Sequence, residues 1–536
     1  MGRKVCITAA GRGRRAGLAS GTNKALLPVG RRSVLTRIID QFPPDTEFVL
    51  AVGHEARKVK DFLALAAPAR NITCVEVDNF EGPGSGPGYS LLKCRDHLQC
   101  PFTLVACDTL VSEPVPEPDE NWIGIAPVDD PAPFLVAALR DTQVVRFFDK
   151  QSPEAIAAAG VSPETVARSA FIGLAGIRDF ERFWAGLAGD PGLIAGEWQV
   201  SNGLSALVEA GLKGIEFTWF DTGTDQEYRR AVEHFGGSYV LEKPGEFLYF
   251  EDQRVIKFFR SAQRAADRVA RARLLRDVVP GQIEARDHFY AYNFVPGRRL
   301  SEVTDADAFS RFLDFAAATI WRSVPLDAHR QAEFRAACAR FYWDKTLHRI
   351  NAFHEKTGLS DAAHVINGEP VPTVKELLDR VDWERLNEGT AVRFHGDPQP
   401  ENIIVTDDGR FVMLDWREDF GGLLDFGDLY YDLAKLHHAL IISGKVIRNS
   451  QFHVAENGKT VEYDFRVRHN LLRFLRIFED FIARSGWEVE RVRLLTSLIY
   501  LNIAPLHCEP YDRLLYYHGK LALKRVLEGQ WPIWTS

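Results

Sequence analysis

"FHGDPQPENIIVTDDGRFVMLDW", residues 394–416, sets three polar side chains, Asp397, Asn402 and Asp415, at fixed intervals around a turn signal. The apolar, partly β-branched runs "IIV" and "FVML" flank "TDDGR". Asp-Gly between such runs predicts a β-hairpin, because both central residues of a tight turn must accept positive φ. With Asp408 and Gly409 as a two-residue turn, Asn402 and Asp415 face each other at the open end, Cβ atoms roughly 5 Å apart. Asp397 lies upstream in a Pro-rich loop that can continue neither a helix nor a central strand. A carboxylate and an amide oxygen suit a hard cation such as Mg²⁺, and a spare carboxylate suits a base. An ordinary surface hairpin with acidic ends would not require the HGD loop as well.

Outward from this stretch the chain divides. At 536 residues it exceeds what one core supports, so two or three domains are expected. Composition shifts near "EHFGGSYVLEKPGE", residues 233–246. The expected domains are 1–238 and 239–536, the second with an N-lobe over about 239–295 and a C-lobe over about 296–536. In the N-lobe "FLYFE" and "RVIKFFR" read as a hairpin, followed by an Ala/Arg-rich helix. The first half alternates strand-like runs ("KVCITAA", "EFVLAVG", "ITCVEVD", "FTLVACDT") with helix-like ones ("SVLTRIIDQF", "ARKVKDFLALAA", "GYSLLKCRDHL"). That order predicts a mainly parallel sheet covered by helices. The fold class is therefore α/β, a Rossmann-like N-terminal domain followed by an α+β domain.

A net charge of −8 argues against an electrostatic nucleic-acid binder. No stretch approaches the ~18 apolar residues of a membrane span. The opening "MGRKVCITAAGRGRR" has too short an apolar core for a signal peptide. Seven scattered cysteines without a CxxC fit a reducing cytoplasm. The expected partners are small-molecule substrates and nucleotides, with no nucleic acid and no membrane span; a homo-oligomer is compatible with all of this.

"ITAAGRGRRAG" puts a Gly-rich turn directly after the first strand, where backbone N–H groups can cradle phosphate oxygens. It satisfies the dinucleotide pattern at Gly11, Gly13 and Ala16, but the second strand ends in Gly53-His54 instead of the acidic residue that pattern requires. Arg14, Arg15 and Lys24 suit a triphosphate better. The segment "AAGRGRRAG…NKALLPVGRRSVL" resembles the opening of the sugar-phosphate nucleotidyltransferase family, and the resemblance extends over about residues 3–235. It implies that the Gly11–Arg15 loop, with Gly13 and Arg14, and Lys24 hold a nucleoside triphosphate. It further implies that Asp108 ("FTLVACDT") and Asp221 ("WFDTGTDQEY") bind Mg²⁺, and that Gly84, Gly86 and Gly88 form the base-reading loop. Lys150 ("RFFDK") would bind the acceptor phosphate, and Gly173 ("SAFIGLAGI") would line the acceptor pocket. Arg15 and Lys24 would carry catalysis by alignment and charge neutralisation, since a phosphate nucleophile is already anionic.

The HGD segment resembles the aminoglycoside and choline kinase family, strongest over residues 390–435. That resemblance implies that Asp397 orients the substrate hydroxyl, that Asn402 and Asp415 bind Mg²⁺, and that Lys257 on "RVIKFF" holds ATP phosphates. Asp267 is a candidate partner for Lys257. Tyr430, Tyr431, His437 and His438 on a following helix either line an acceptor pocket or belong to the core. "DFGD" at Asp425 follows the candidate Asp415 and is not the metal motif.

Together the two resemblances imply a bifunctional enzyme. It would phosphorylate a small hydroxyl compound with ATP, then couple the product to an NTP, CTP favoured, releasing pyrophosphate. The expected cofactor is Mg²⁺. The alternative is a transferase for a sugar 1-phosphate with UTP or dTTP, the kinase-like half serving as a non-catalytic ligand-binding module.

Overall fold

The computed structural model describes residues 2–12, 22–189, 193–194, 196–236 and 245–531. Gly13, Arg14 and Arg15 lie outside the described residues. The chain separates into two compact units. The first takes in Met1–Tyr239, Pro244–Arg260 and Arg286–Ala291; the second is built from Ser261–Ala285 and Tyr292–Ser536.

In the first unit the expected alternation is present: β1 (Lys4–Ala9), α1 (Val34–Asp40), β2 (Glu47–Val52), α2 (Ala56–Ala66), β3 (Asn71–Glu76), α3 (Pro87–Lys93) and β4 (Phe102–Ala106). Val5, Cys6 and Ile7 are all buried, the continuous apolar run of a strand covered on both faces. α1 starts where the Ser33 hydroxyl accepts from Thr36 N–H at 2.9 Å. There follow β5 (Thr109–Val111), β6 (Asn121–Ala126), β7 (Leu135–Arg140), β8 (Gln143–Asp149), β9 (Ala170–Ile177), β10 (Leu212–Glu216), β11 (Trp219–Asp221) and α4 (Asp225–His234). Nine strands form one sheet in the order β3-β2-β1-β4-β9-β6-β10-β8-β7. The pairs β1–β2, β1–β4 and β2–β3 are parallel, as the alternation predicts. Beyond β4 the sheet is mixed, because β9 runs antiparallel to both β4 and β6.

The hairpin of β12 (Glu246–Glu251) and β13 (Arg254–Phe259) groups with this first unit. Its buried Tyr249, Ile256 and Phe258 share a core with Phe62 of α2 and with Leu26. Tyr249 and Phe62 rings lie 4.8 Å apart, and Phe250 N–H donates to the Arg31 carbonyl at 2.7 Å. Glu251 is buried and receives Thr36 Oγ1 at 2.7 Å and Arg32 at 2.5 Å.

The second unit is largely helical: α5 (Ala262–Leu274), α6 (Ala328–Ala339), α7 (Lys345–Thr357), α8 (Leu429–Ile441), α9 (His469–Arg484), α10 (Val489–Ile503) and α11 (Tyr511–Leu527). Every residue of α8 is buried, so it is the central helix. The expected hairpin is present as β14 (Ile403–Val405) and β15 (Phe411–Met413), with one correction to its register. Ile403 pairs with Met413 and Val405 with Phe411, so Asn402 faces Leu414, whose N–H donates to the Asn402 carbonyl at 2.7 Å. The loop has three residues, Asp407, Asp408 and Gly409, closed by Thr406 N–H on the Arg410 carbonyl at 3.0 Å. Gly409 alone takes positive φ (80°), the geometry of a type I turn closed by a left-handed glycine. No helix among the described residues is long and apolar enough to cross a membrane.

Candidate functional sites

The first site lies at the C-terminal ends of β1 and β4, where parallel strands leave open backbone and helices begin. A cavity of about 830 Å³ opens there, and Gly11, Lys24, Gly86, Asp108, Lys150, Gly173 and Asp221 all line it. Asp108 follows β4, and Asp221 closes β11, which pairs antiparallel with β5 so that Asp221 faces Thr109. Thr222 N–H donates to the Asp108 carbonyl at 3.0 Å, locking the two acidic segments side by side. Burial, reinforced by the Asp108 charge, lifts the Asp221 carboxyl to about 6. Lys24 Nζ lies 3.5 Å from Asp108 Oδ2 and donates to the Gly223 carbonyl at 3.2 Å.

Lys24 is held by a residue that the motif reading did not single out. Asn23 is buried; its amide donates to the carbonyls of Ala9 (2.8 Å) and His54 (2.9 Å) while its oxygen accepts from Ala25 N–H (3.0 Å). In the sequence its only mark is an Asn directly before the Lys, a residue type that caps short helical turns. Gly84 and Gly86 lie in a loop pinned along residues 196–198: Gly84 N–H donates to the Gly196 carbonyl at 2.9 Å and Trp198 N–H to the Ser85 carbonyl at 2.7 Å. Gly86 has φ 123°, and a Cβ there would sit 2.7 Å from the Trp198 carbonyl oxygen. Gly173 has φ 79° and sits against Ala106, leaving no room for a side chain. Lys150 follows β8 and reaches Glu197 at 3.5 Å.

Among the described residues no three His, Cys, Asp or Glu side chains converge as a protein-only metal site. Mg²⁺ does not need one: it takes one or two carboxylates and completes its shell from water and phosphate oxygens. Asp108 and Asp221, two acidic side chains brought together where burial and their mutual repulsion disfavour a second negative charge, fit such an ion.

The second site is built on the HGD loop. Phe394 (φ 44°) and Gly396 (φ 89°) turn the backbone so that His395 and Gly396 N–H both point at Asp432 of α8, at 2.7 and 2.6 Å. Burial lifts Asp432 to about 7 despite those two donors. Asp397 receives Gln399 Nε2 at 2.7 Å and Lys435 Nζ at 2.8 Å. Asn402 Nδ2 donates to the Asp397 backbone carbonyl at 3.0 Å and to its carboxylate at 3.3 Å. Burial works to raise Asp397, and so does the nearby Asp415, but the Lys435 charge and the hydrogen bonds from Lys435 and Gln399 together hold the carboxyl down at about 2. Asp415 has φ 58° and meets Arg268 of α5 at 3.0 Å. Asp397, Asn402 and Asp415 thus come together, though not by the cross-strand pairing expected of them. This oxygen set also fits a hard cation, which would share Asp415 with Arg268.

Lys257 sits on β13 opposite Leu248. Asp267 accepts from Gln263 at 2.9 Å on α5, whose Arg264 and Arg268 both grip Glu418. His437 and His438 are core residues: His437 bridges Thr496 and Glu479, and His438 Nδ1 bonds the Lys435 carbonyl. Tyr430 packs under the Arg491 guanidinium. Asp432 and Lys435 are the residues the motif reading missed; their spacing on an all-apolar-faced helix, in "YYDLAKLHH", marks buried charges in need of partners.

Residues 5–144 match the family model of the MobA-like NTP transferase domain, and residues 218–454 match that of the phosphotransferase enzyme family. No curated protein matches the chain. Solved structures that it resembles include a UDP-glucose pyrophosphorylase complexed with UDP-glucose (15% identity, 44% of this chain and 99% of that one, TM-score 0.37). A UTP-bound UGPase from Acinetobacter baumannii gives 14%, 44%, 94% and 0.35 for the same quantities. CTP:phosphocholine cytidylyltransferase from Streptococcus pneumoniae gives 15%, 44%, 99% and 0.34.

Proposed function

We propose that this bifunctional enzyme, a MobA-like NTP transferase domain joined to a domain of the phosphotransferase enzyme family, runs two consecutive activation steps. At the Asp397 site a small alcohol takes the γ-phosphoryl group of ATP. The hydroxyl oxygen bonds to the γ-phosphorus, the bond to the bridging oxygen breaks, ADP leaves with the electron pair, and the proton passes to Asp397. A carboxyl held near 2 is a weak base, so Asp397 chiefly orients the hydroxyl until the transition state makes its proton acidic. Lys257 is assigned to the ATP phosphates, and Asn402 and Asp415 to Mg²⁺.

At the Asp108 site an oxygen of the new phosphate bonds to the α-phosphorus of an NTP, and pyrophosphate departs with the electrons of the broken bond. Lys24 and Arg15 carry charge neutralisation, Gly11, Gly13 and Arg14 the triphosphate, Gly84 and Gly86 the base, and Lys150 and Gly173 the acceptor. Mg²⁺ bound by Asp108 and Asp221 would offset the phosphate charge. The compact first domain favours CTP, and the product would be an activated precursor for cell-surface glycan or lipid synthesis made in the cytoplasm.

The observation that supports this reading is that each unit carries its own cluster of acidic side chains beside a lysine. The test is a screen of the four NTPs and ATP against alcohols, sugars and their phosphates. Asp397→Ala should abolish ADP formation and leave pyrophosphate release from a pre-phosphorylated acceptor intact; Asp108→Ala should do the reverse. Loss of both activities in either variant contradicts two independent sites.

A further inference from the structure

The surroundings of Asp397 are cationic beyond the lysine that pairs with it. Between α6 and α7 the helix passes through a wide π-turn, Arg340–Asp344. Such turns give up regular hydrogen bonding and recur at functional sites. This one presents Phe341 to Tyr431 of α8 (ring centroids 4.7 Å) and to Phe420 (4.4 Å). Over the Phe341 ring stand two cations, Lys345 Nζ at 3.9 Å and the Arg417 guanidinium at 5.1 Å. Arg417 is tied to the HGD loop, its N–H donating to the His395 carbonyl at 2.9 Å. Arg349 lies one helical turn beyond Lys345.

Arg417 keeps its charge with help from Glu418 and Asp419, but Lys345 and Arg349, both pushed below their ordinary ranges, are not balanced from within. No ion pair among the described residues includes Lys345, Arg349 or Arg417, and Arg417 Nε is buried with no hydrogen-bond partner. Glu418, whose charge reaches Lys345 and Arg417, is already gripped by Arg264 at 2.8 Å and Arg268 at 3.1 Å. Asp344, next in chain to Lys345, is exposed. Burial, then Arg417, Lys435 and Arg349, drive Lys345 well below the ordinary lysine range, which places the four cations in one another's fields. Lys435 in turn touches Asp397. Withdrawn cations without counter-ions are costly unless an anion arrives from solution. A quaternary ammonium headgroup would need these aromatic faces for itself, and here Lys345 and Arg417 occupy them.

We propose that the alcohol phosphorylated at the Asp397 site carries an anionic group, a carboxylate or a phosphate, received by Lys345, Arg349 and Arg417. The inference rests on the assignment of Asp397 to phosphoryl transfer. A guanidinium fork and an ammonium converging over an aromatic wall suit either anion, and they hold the hydroxyl end toward Asp397.

The test follows ADP release with acceptors matched in skeleton: glycerol against glycerate and glycerol 3-phosphate, with ethanolamine and choline as cationic members. The anionic members should show kcat/KM at least about tenfold above glycerol, and Lys345→Met should raise their KM by about tenfold with a smaller change in kcat. In parallel, with a non-hydrolysable ATP analogue present, calorimetry should detect inorganic phosphate binding that Lys345→Met/Arg349→Met removes while the circular dichroism spectrum is kept. A wild-type preference for neutral or cationic acceptors, with Asp397 still required, overturns the proposal and leaves the kinase reading standing. Equal phosphate binding in wild type and double variant overturns it as well. If no ADP release in the panel depends on Asp397, the kinase reading itself fails and takes the inference with it.

Discussion

Lys435 Nζ stands 2.8 Å from Asp397 Oδ1, and the two side chains are only 10% and 21% exposed. Burial alone would raise the carboxyl; the ammonium, helped by the Gln399 hydrogen bond, brings it down to about 2 from an ordinary 3.8. A folded-state pKa below the unfolded one contributes stability that is present above 3.8 and lost as pH falls through 2. Lys435→Met should reverse that sign, leaving a buried carboxylate without its counter-ion. Expected outcomes are a loss of roughly 3 kcal/mol at pH 7 by urea unfolding and an acid limb of the ADP-release profile displaced to higher pH. An unmoved acid limb would show that the pair does not set the protonation of Asp397.

The opposite case holds at the first site. Asp221 is pushed up to about 6 by burial and by Asp108. Because its folded pKa exceeds the ordinary 3.8, the metal-free protein loses stability from this group as pH rises from 3.8 through about 6. Asp108→Asn should therefore raise the melting temperature of the metal-free protein near pH 7 while abolishing pyrophosphate release. Added Mg²⁺ should stabilise wild type more than the variant, and wild-type turnover should fall as pH drops through about 6.

Gly173 is a backbone requirement. Its φ of 79° and a Cβ position 2.6 Å from Ala106 Cβ leave alanine both strained and crowded, in a strand whose pairing with β6 shifts at this point. Gly173→Ala should cost about 1–3 kcal/mol in stability and lower pyrophosphate release through KM for the phosphorylated acceptor. Thermal unfolding and acceptor titration check the two effects separately.

Much of this was legible because it is local. The βαβ alternation of residues 4–106 is written in apolar runs and in caps such as Ser33, and the HGD and LDW motifs mark Asp397 and Asp415 by their own residues. The hairpin register differs by one residue because Asp-Gly can close either a two-residue or a three-residue loop; here Asp408 stays at negative φ and only Gly409 turns left-handed, which is the three-residue form. Asp432 and Lys435 were missed because their meaning depends on a loop more than thirty positions upstream. The cations over Phe341 are invisible for the same reason: Lys345, Arg417 and Tyr431 converge only after folding. Asp221 was placed by its motif, yet its raised proton affinity needs Asp108 beside it.

The hairpin β12–β13, which lies inside the phosphotransferase family match yet packs with the first unit, yields the last prediction. Sequence alone assigns Tyr249 to the second domain, but its ring packs on Phe62 and its hydroxyl donates to the Leu26 carbonyl at 2.5 Å. Leu26 ends the short turn Lys24–Leu26, so this bond anchors the segment that carries Lys24. Tyr228 does the same from the other side, donating to the Pro28 carbonyl at 2.6 Å. Tyr249→Phe keeps the ring and removes only the anchor; it should lower pyrophosphate release several-fold with a stability loss of about 1 kcal/mol. Tyr249→Ala also removes a fully buried ring and should cost about 3–5 kcal/mol. The measurement is pyrophosphate release from a pre-phosphorylated acceptor, which bypasses the kinase step. If Tyr249→Phe leaves that rate untouched, the hairpin braces the first unit without tuning the position of Lys24.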